Sequence, residues 1–257
     1  MPIRFSFAGK GGTGKSTLSA LLVNFLLDKG LKPILAVDAD PNANLNELLG
    51  EEVHVTLGEI KEELRKSVPD SMARYDYVEM RLHQAIIEGE GYDLLVMGQP
   101  EGPGCYCAAH SFLSQAIEKL MRSYNYLVID NEAGMEHLSR LNLLEMEHLL
   151  IVSDASHRGI MTVGRIAELL KSLQIKVEHL WMIVNRCPED LPKELRQYAQ
   201  EVAEKHNLKL LAFLPEDSFV LQAEAKKIPV FYWDGSLLKR KAYESFSKLI
   251  NYETSSL

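Results

Sequence analysis

The stretch that most constrains this chain is A-G-K-G-G-T-G-K-S-T, residues Ala8 to Thr17. It lies between an apolar run from Ile3 to Ala8 and a helical-period series of Leu18, Leu21, Leu22, Phe25 and Leu26 that stops at Gly30. A strand that runs through glycines straight into a helix is the unit from which layered α/β sheets are built. Gly9 to Ser16 also satisfies G-x-x-x-x-G-K-S/T, and each residue type in it suits a polyphosphate. Gly9, Gly11, Gly12 and Gly14 let backbone N–H groups face the phosphates, with Lys10 and Thr13 between them. Lys15 reaches the outer charges, Ser16 holds magnesium through its hydroxyl, and the helix opening at Thr17 adds its positive end.

Gly9, Gly11 and Gly14 equally spell G-x-G-x-x-G, a dinucleotide fingerprint, with Asp38 at the end of the next strand as the matching acid. Lys15-Ser16 decides between the two patterns. A nucleoside triphosphate needs a cation and a magnesium hydroxyl at those positions, whereas the fingerprint helix needs only close packing. Lys10, a second lysine inside the loop, is absent from the ordinary motif.

At 257 residues the chain is long enough for one layered domain with a substantial core, and residues 1–257 are expected to form a single domain. A net charge of −8 argues against a nucleic-acid partner, because only short clusters such as Lys239-Arg240-Lys241 carry the positive charge to follow a phosphate backbone. No signal peptide precedes Ile3 and no apolar run is long enough to cross a bilayer, so no membrane partner is expected. Three cysteines, two of them in Cys105-Tyr106-Cys107, do not make a disulfide framework, and the expected location is the reducing cytoplasm.

Taken in order, Pro33 to Val37 reads as a second buried strand that delivers Asp38-Ala39-Asp40-Pro41-Asn42 to the carboxyl edge, where parallel sheets bind ligands. Two carboxylates so spaced can face the magnesium and an attacking water, or simply form a polar turn capping the helix near Asn44. Residues 51–91 turn charged and read as a helical insertion packed on the sheet edge. It contains two capping boxes, Thr56 with Glu59 and Asp76 with Glu79, a break at Pro69 and a modest apolar stripe of Leu57, Ile60 and Leu64. Tyr92 to Met97, Asn125 to Asp130, His148 to Val152 and Leu180 to Val184 are further strands, with a helix from about Ile160 to Ser172. The last helix, about Ser236 to Asn251, puts Leu238, Ala242, Phe246 and Leu249 on one face, which suits core packing better than a membrane-binding tail.

The third strand leads into G-Q-P-E-G-P-G-C-Y-C-A-A-H. Residues two apart on an extended chain point to one side, so the sulfurs of Cys105 and Cys107 can face one soft metal, and residues 99–110 read as a metal-binding loop. His110 falls in the first turn of the following helix, with no metal role. Asn185-Arg186-Cys187-Pro188 ends the sixth strand, where an Asn amide can pair with the N6/N7 edge of adenine, while the guanine-reading N-K-x-D pattern is absent. Cys187 reads as structural.

These motifs carry a resemblance. G-K-G-G-T-G-K-S-T resembles the deviant Walker family that includes nitrogenase iron protein and the MinD-type and ParA-type ATPases. With V-D-A-D-P, Q-P-E-G-P-G-C-Y-C and I-D-N-E-A-G-M-E-H-L-S-R, the whole chain resembles the nickel-inserting ATPases that mature carbon monoxide dehydrogenase or acetyl-CoA synthase (CooC type). The cysteine motif is the branch-specific part. The resemblance implies a three-layer α/β fold with a mostly parallel central sheet and an ATPase that uses ATP and magnesium. It also implies a homodimer, promoted by ATP and metal, that holds nickel, or zinc in competition, through Cys105 and Cys107 and delivers it to a client nickel–iron enzyme. In its terms Lys10 acts across the dimer, Lys15 binds phosphate, Asp40 activates water, and Ser16, Asp38 and Asp130 serve the magnesium. Asn185 reads adenine beside Arg186, and the loop bearing Pro215 and Asp217 closes over the ring. Glu136 and His137 read as solvated helix residues.

Two other function classes stay open. A nucleotide-gated electron donor like nitrogenase iron protein would need a second cysteine after the Asp130 segment, and Asn131 to Arg140 contains none. A membrane- or DNA-positioning ATPase would leave Cys105 and Cys107 without a purpose.

Overall fold

The computed structural model describes residues 2–66, 73–98, 107–132 and 145–254. β1 (Ile3–Gly9) enters the glycine loop and α1 (Lys15–Asp28) leaves it, followed by β2 (Ile34–Ala39) and the short α2 (Leu45–Leu49). Next come α3 (Leu57–Lys66), α4 (Arg74–Ala85), the two-residue β3 (Ile87–Glu88), β4 (Asp93–Val96) and α5 (Cys107–Met121). The second half runs β5 (Tyr126–Asn131), β6 (Glu145–Asp154), α6 (His157–Ser172), β7 (Lys176–Cys187), α7 (Lys193–Lys205), β8 (Lys209–Pro215) and α8 (Ser218–Ala225). A 3-10 turn (Val230–Tyr232) then leads into α9 (Leu237–Thr254).

The strands form one eight-stranded sheet in the order β3-β4-β2-β5-β1-β6-β7-β8. Every pairing is parallel except that of β3 with β4. From β1 the chain first winds to one side and then, from β6 on, to the other. The crevice at such a reversal is where open α/β sheets take ligands, and here it opens beside β1 and the glycine loop.

Helices cover both faces, giving three layers. On one face Phe5, Phe7, Leu21, Phe25, Val128 and Ile183 join Leu45, Trp233, Ala242 and Phe246 in one core. On the other, Leu35, Val37, Ile129 and Ile151 meet Leu57, Val78, Ile117, Ile160 and Val202. α1 is buried around most of its circumference from Lys15 to Leu26, as befits a helix lying between the sheet and α9. Leu238, Ala242, Phe246 and Leu249 of α9 are all buried, as the spacing predicts. Lys239 is buried too, its ammonium donating to the carbonyls of Val230 and Phe231, so it is unavailable to follow a phosphate backbone.

The region from 51 to 91 departs from expectation in two ways. The Thr56–Glu59 capping box forms, with Thr56 N and Glu59 N donating to the reciprocal side chains at 2.7 and 3.2 Å. The Asp76–Glu79 box does not form, because α4 starts at Arg74 with Ala73 as its cap and both acids lie inside the helix. The same spacing also places two acids on one exposed helix face, and there Glu79 pairs with Lys119 of α5. Leu57, Ile60, Leu64, Val78 and Leu82 are buried in the core shared with α5 and β2, so α3 and α4 belong to the helical layer, and only β3 sits at the sheet edge.

Candidate nucleotide site

The glycine loop is held by contacts that need glycine. Gly9 has φ +148°, and a Cβ there would stand 2.2 Å from the Val152 carbonyl oxygen on the neighbouring strand. Gly14 has φ +93°, with a Cβ position 2.4 Å from Asn185 Nδ2. Any side chain at either position would push the loop off β6 or β7. Inside the turn, Thr13 Oγ1 donates to the Lys10 carbonyl at 2.9 Å, and the Lys15 ammonium approaches the same oxygen at 3.4 Å. Gly14 caps α1 without a side-chain partner, which leaves the first-turn N–H groups free for an anion. Lys10 is exposed and Lys15 is buried. Burial lowers the Lys15 ammonium from the ordinary lysine range, opposed by the charges of Asp130, Asp40 and Glu132.

Two fully buried aspartates stand beside this loop. Asp38 and Asp130 are register partners on adjacent strands β2 and β5. Asp38 Oδ1 accepts from Asp40 N at 3.0 Å and Oδ2 from Leu45 N at 2.9 Å, so both oxygens shape the turn that carries Asp40. Asp40 Oδ1 in turn accepts from the backbone and side-chain nitrogens of Asn42 at 2.9 and 3.0 Å. Asp130 Oδ1 takes one long bond from Ser19 Oγ, 3.4 Å, and Oδ2 has no hydrogen-bond partner. Burial pushes the Asp38 carboxyl up to about 6, against the backbone N–H groups of Leu45, Asp40 and Asn44 that stabilise its anion. Burial likewise pushes Asp130 up to about 7, with Asp38 and Asp40 adding to the rise and Ser16 and Lys15 opposing it.

A cleft of about 540 Å³ opens over the loop, lined by Gly11, Gly12, Lys15, Ser16, Asp40 and Glu132 among others. It adjoins a second cavity of about 170 Å³ in which Asn185, Arg186, Pro215 and Asp217 come together beside Gly14 and Thr17. Asn185 is buried; its Nδ2 donates to the Thr13 carbonyl at 2.9 Å and its Oδ1 has no hydrogen-bond partner. One side of that amide therefore braces the loop while the other keeps an acceptor. Asp217 caps α8 through Phe219 N and also accepts from Ser236 Oγ, which fixes the loop that Pro215 begins. Cys187 is a buried thiol that burial raises to about 11, consistent with a structural part.

Magnesium with a nucleotide fits these residues. The unpartnered buried oxygen of Asp130, the Ser16 hydroxyl at the start of α1 and the glycine cradle supply hard oxygen donors and phosphate-facing N–H groups. The cleft also holds residues that no sequence pattern points to: Asn44, Glu47 and Leu48 around α2, Glu132 after β5, and Glu224, Lys227 and Ile228 at the end of α8. None carries a local motif, and tertiary packing alone brings them to the cleft. Cys105 lies outside the described residues, as do Glu136 and His137, and Cys107 opens α5 with His110 in its first turn. The chain enters the cysteine stretch from the nucleotide edge, because Met97 N donates to the Asp38 carbonyl at 2.8 Å. No group of three or more histidine, cysteine or acidic ligands occurs among the described residues.

Fold and site together define a nucleotide-binding protein of the phosphate-loop class. The particular family is the CobQ/CobB/MinD/ParA nucleotide-binding domain, whose model matches residues 5–230, and the chain belongs to it. An uncharacterized ATP-binding protein of Methanocaldococcus jannaschii is 37% identical over 250 residues, 95% of this chain and 97% of that one. The carbon monoxide dehydrogenase accessory protein CooC of Rhodospirillum rubrum is 30% identical over 190 residues, 68% of this chain and 71% of that one. Among solved structures, the septum site-determining protein MinD complexed with Mg-ADP from Pyrococcus horikoshii shares the fold. Its TM-score is 0.69 at 24% identity, with 97% of this chain and 96% of that one covered.

Proposed function

We propose that this chain is a dimerising ATPase that holds nickel between two subunits and delivers it to a nickel–iron enzyme. The observation that carries the metal reading is the similarity to the CooC accessory protein, taken with Cys105 and Cys107 two residues apart in a chain of three cysteines. The ATPase part rests on the convergence of Lys15, Ser16, Asp40 and Asp130 at one sheet edge. Magnesium, when bound with ATP, draws charge from the phosphates and so eases transfer to water. The chain supplies the rest. The loop N–H groups and Lys15 position and neutralise the phosphates, Asp40 orients the water, and Asn185 and Asp217 seat the base. Lys10, exposed on the loop, reaches the partner's phosphates across a two-fold axis in the manner of an arginine finger. That axis doubles the two thiolates to four, the number that square-planar nickel(II) accepts, with tetrahedral zinc as the competitor.

Metal content measured against oligomeric state, with and without ATP, tests the reading. One nickel per two chains is expected, with ATP and metal each favouring the dimer and with loss of dimerising metal in Cys105→Ser or Cys107→Ser. Tight binding of one nickel per monomer, or intact binding in the double variant, would contradict it. A positioning ATPase is the second reading, favoured by the fold shared with MinD, and co-sedimentation with liposomes or DNA is its signature.

A further inference from the structure

The end of α8 lines the nucleotide cleft together with the glycine loop, and one residue there carries an unused charge. Lys227 lines the 540 Å³ cleft, is exposed, and its ammonium has no hydrogen-bond or ion-pair partner among the described residues. Its backbone is fixed. Lys227 N donates to the Glu224 carbonyl at 3.0 Å and Ile228 N to the Ala223 carbonyl at 2.9 Å, the paired bonds that end a helix in the left-handed conformation. Lys227 takes that conformation at φ 51°, at a helix end where α1 and α2 place Gly30 and Gly50. Gln174 and Asn207 do the same after α6 and α7, so the conformation alone is not a signature. What sets Lys227 apart is the cleft it faces. Arg186, at φ 55°, is a second basic residue held in this unfavourable region, and it too lines the cleft.

The charges facing the cleft give that lysine a task. Asp40, Glu47, Glu132 and Glu224 contribute four carboxylates, against Lys15, Arg186 and Lys227. Lys15 is buried at the base of the loop beside Asp130. Within one subunit, a polyphosphate lying on the loop N–H groups meets Lys15 from the loop, with the carboxylates of Asp40, Glu47, Glu132 and Glu224 lining the rest of the cleft beside Arg186 and Lys227. Glu224 lines both the cleft and the smaller cavity that holds Asn185, which places it at the junction of base and phosphate ends. Lys227, three residues further, lines the phosphate cleft alone. We propose that Lys227 is a nucleotide-binding residue that contacts the polyphosphate from the α8 side of the cleft, offsetting the carboxylates that line it. The proposal rests on the nucleotide site described above.

Lys227→Gly separates this role from a structural one, because glycine suits the left-handed backbone and should leave thermal stability equal or higher. Binding of MgADP, MgATP and adenosine is measured by titration calorimetry at low and high salt, on the unaltered full chain and on Lys227→Gly and Lys227→Gln. The expected result is a loss of roughly three- to tenfold in affinity for both nucleotides in both variants. The loss should shrink at high salt and be absent for adenosine. Unchanged MgADP and MgATP affinity, or an equal loss for adenosine, would overturn the proposal while leaving the nucleotide site standing. Failure of the unaltered chain to bind either nucleotide would overturn both.

Discussion

The ends of β2 and β5 present the same residue type at the same register, and the fold treats the two differently. Asp38 and Asp130 stand side by side on neighbouring strands, 0% and 1% exposed. Asp38 commits both oxygens to the backbone N–H groups of Asp40 and Leu45, and so holds the turn from which Asp40 projects. Asp130 keeps one oxygen unpartnered. A buried carboxylate oxygen left without a donor costs stability unless something arrives to use it. With both Asp38 oxygens taken, we propose that Asp38 clamps the turn carrying Asp40 instead of serving the magnesium as the family resemblance implies, and that Asp130 accepts from a hydrated magnesium ion. The burial that raises both carboxyls is a penalty that a bound magnesium would relieve at Asp130.

The largest effect should follow Asp130→Asn. Loss of the carboxylate that orders a metal's water shell commonly reduces metal affinity on the order of 10–100-fold, and that loss is expected in magnesium-dependent ADP binding. ADP binding in the presence of a chelator should change far less. Undiminished MgADP affinity in Asp130→Asn would end the distinction between the two aspartates. Next comes Asp38→Asn, whose amide nitrogen would meet Asp40 N or Leu45 N and leave one backbone donor unpaired, at about 1–3 kcal/mol. Urea unfolding should show that loss, and magnesium-dependent affinity should fall less than in the Asp130 variant.

The smallest effect is one of pH. In the nucleotide-free chain both carboxyls titrate above their unfolded value near 3.9, so the folded state binds more protons over the intervening range. The stability this contributes is complete below the unfolded pKa and is lost as pH rises through about 6 for Asp38 and about 7 for Asp130. Thermal midpoints should therefore carry a downward component across that window, smaller in Asp130→Asn. MgADP should bind more weakly at about pH 6 than at about pH 8, since the cation competes with the Asp130 proton.

The sequence shows the nucleotide edge well because that chemistry is local. Gly9 to Ser16, Asp38, Asp40 and Asp130 sit at strand ends that apolar runs announce, and Asn185 and Asp217, which the resemblance sets at the base, line one cavity beside Gly14. The strands run longer than their apolar cores: β6 begins at Glu145 and β7 at Lys176, where polar residues extend the parallel ladder. α7 and β8 are not among the elements read from sequence, although Tyr198, Ala199 and Val202 recur at helical spacing and Leu210 to Leu214 is an apolar run before Pro215. Glu224 and Lys227 carry no signal, because their part in the cleft exists only once α8 is laid across the sheet edge. The antiparallel β3 is two residues long, too short for any period to show.

We propose that this sheet edge hydrolyses ATP with Asp40 as the residue that handles water. The most direct test is phosphate release from MgATP by the unaltered chain and by Asp40→Ala, with MgATP binding titrated on the same preparations. Slow turnover is expected of the unaltered chain, and in Asp40→Ala unchanged binding with turnover abolished. Normal hydrolysis by Asp40→Ala, or no hydrolysis by an unaltered dimer that binds MgATP, would contradict it.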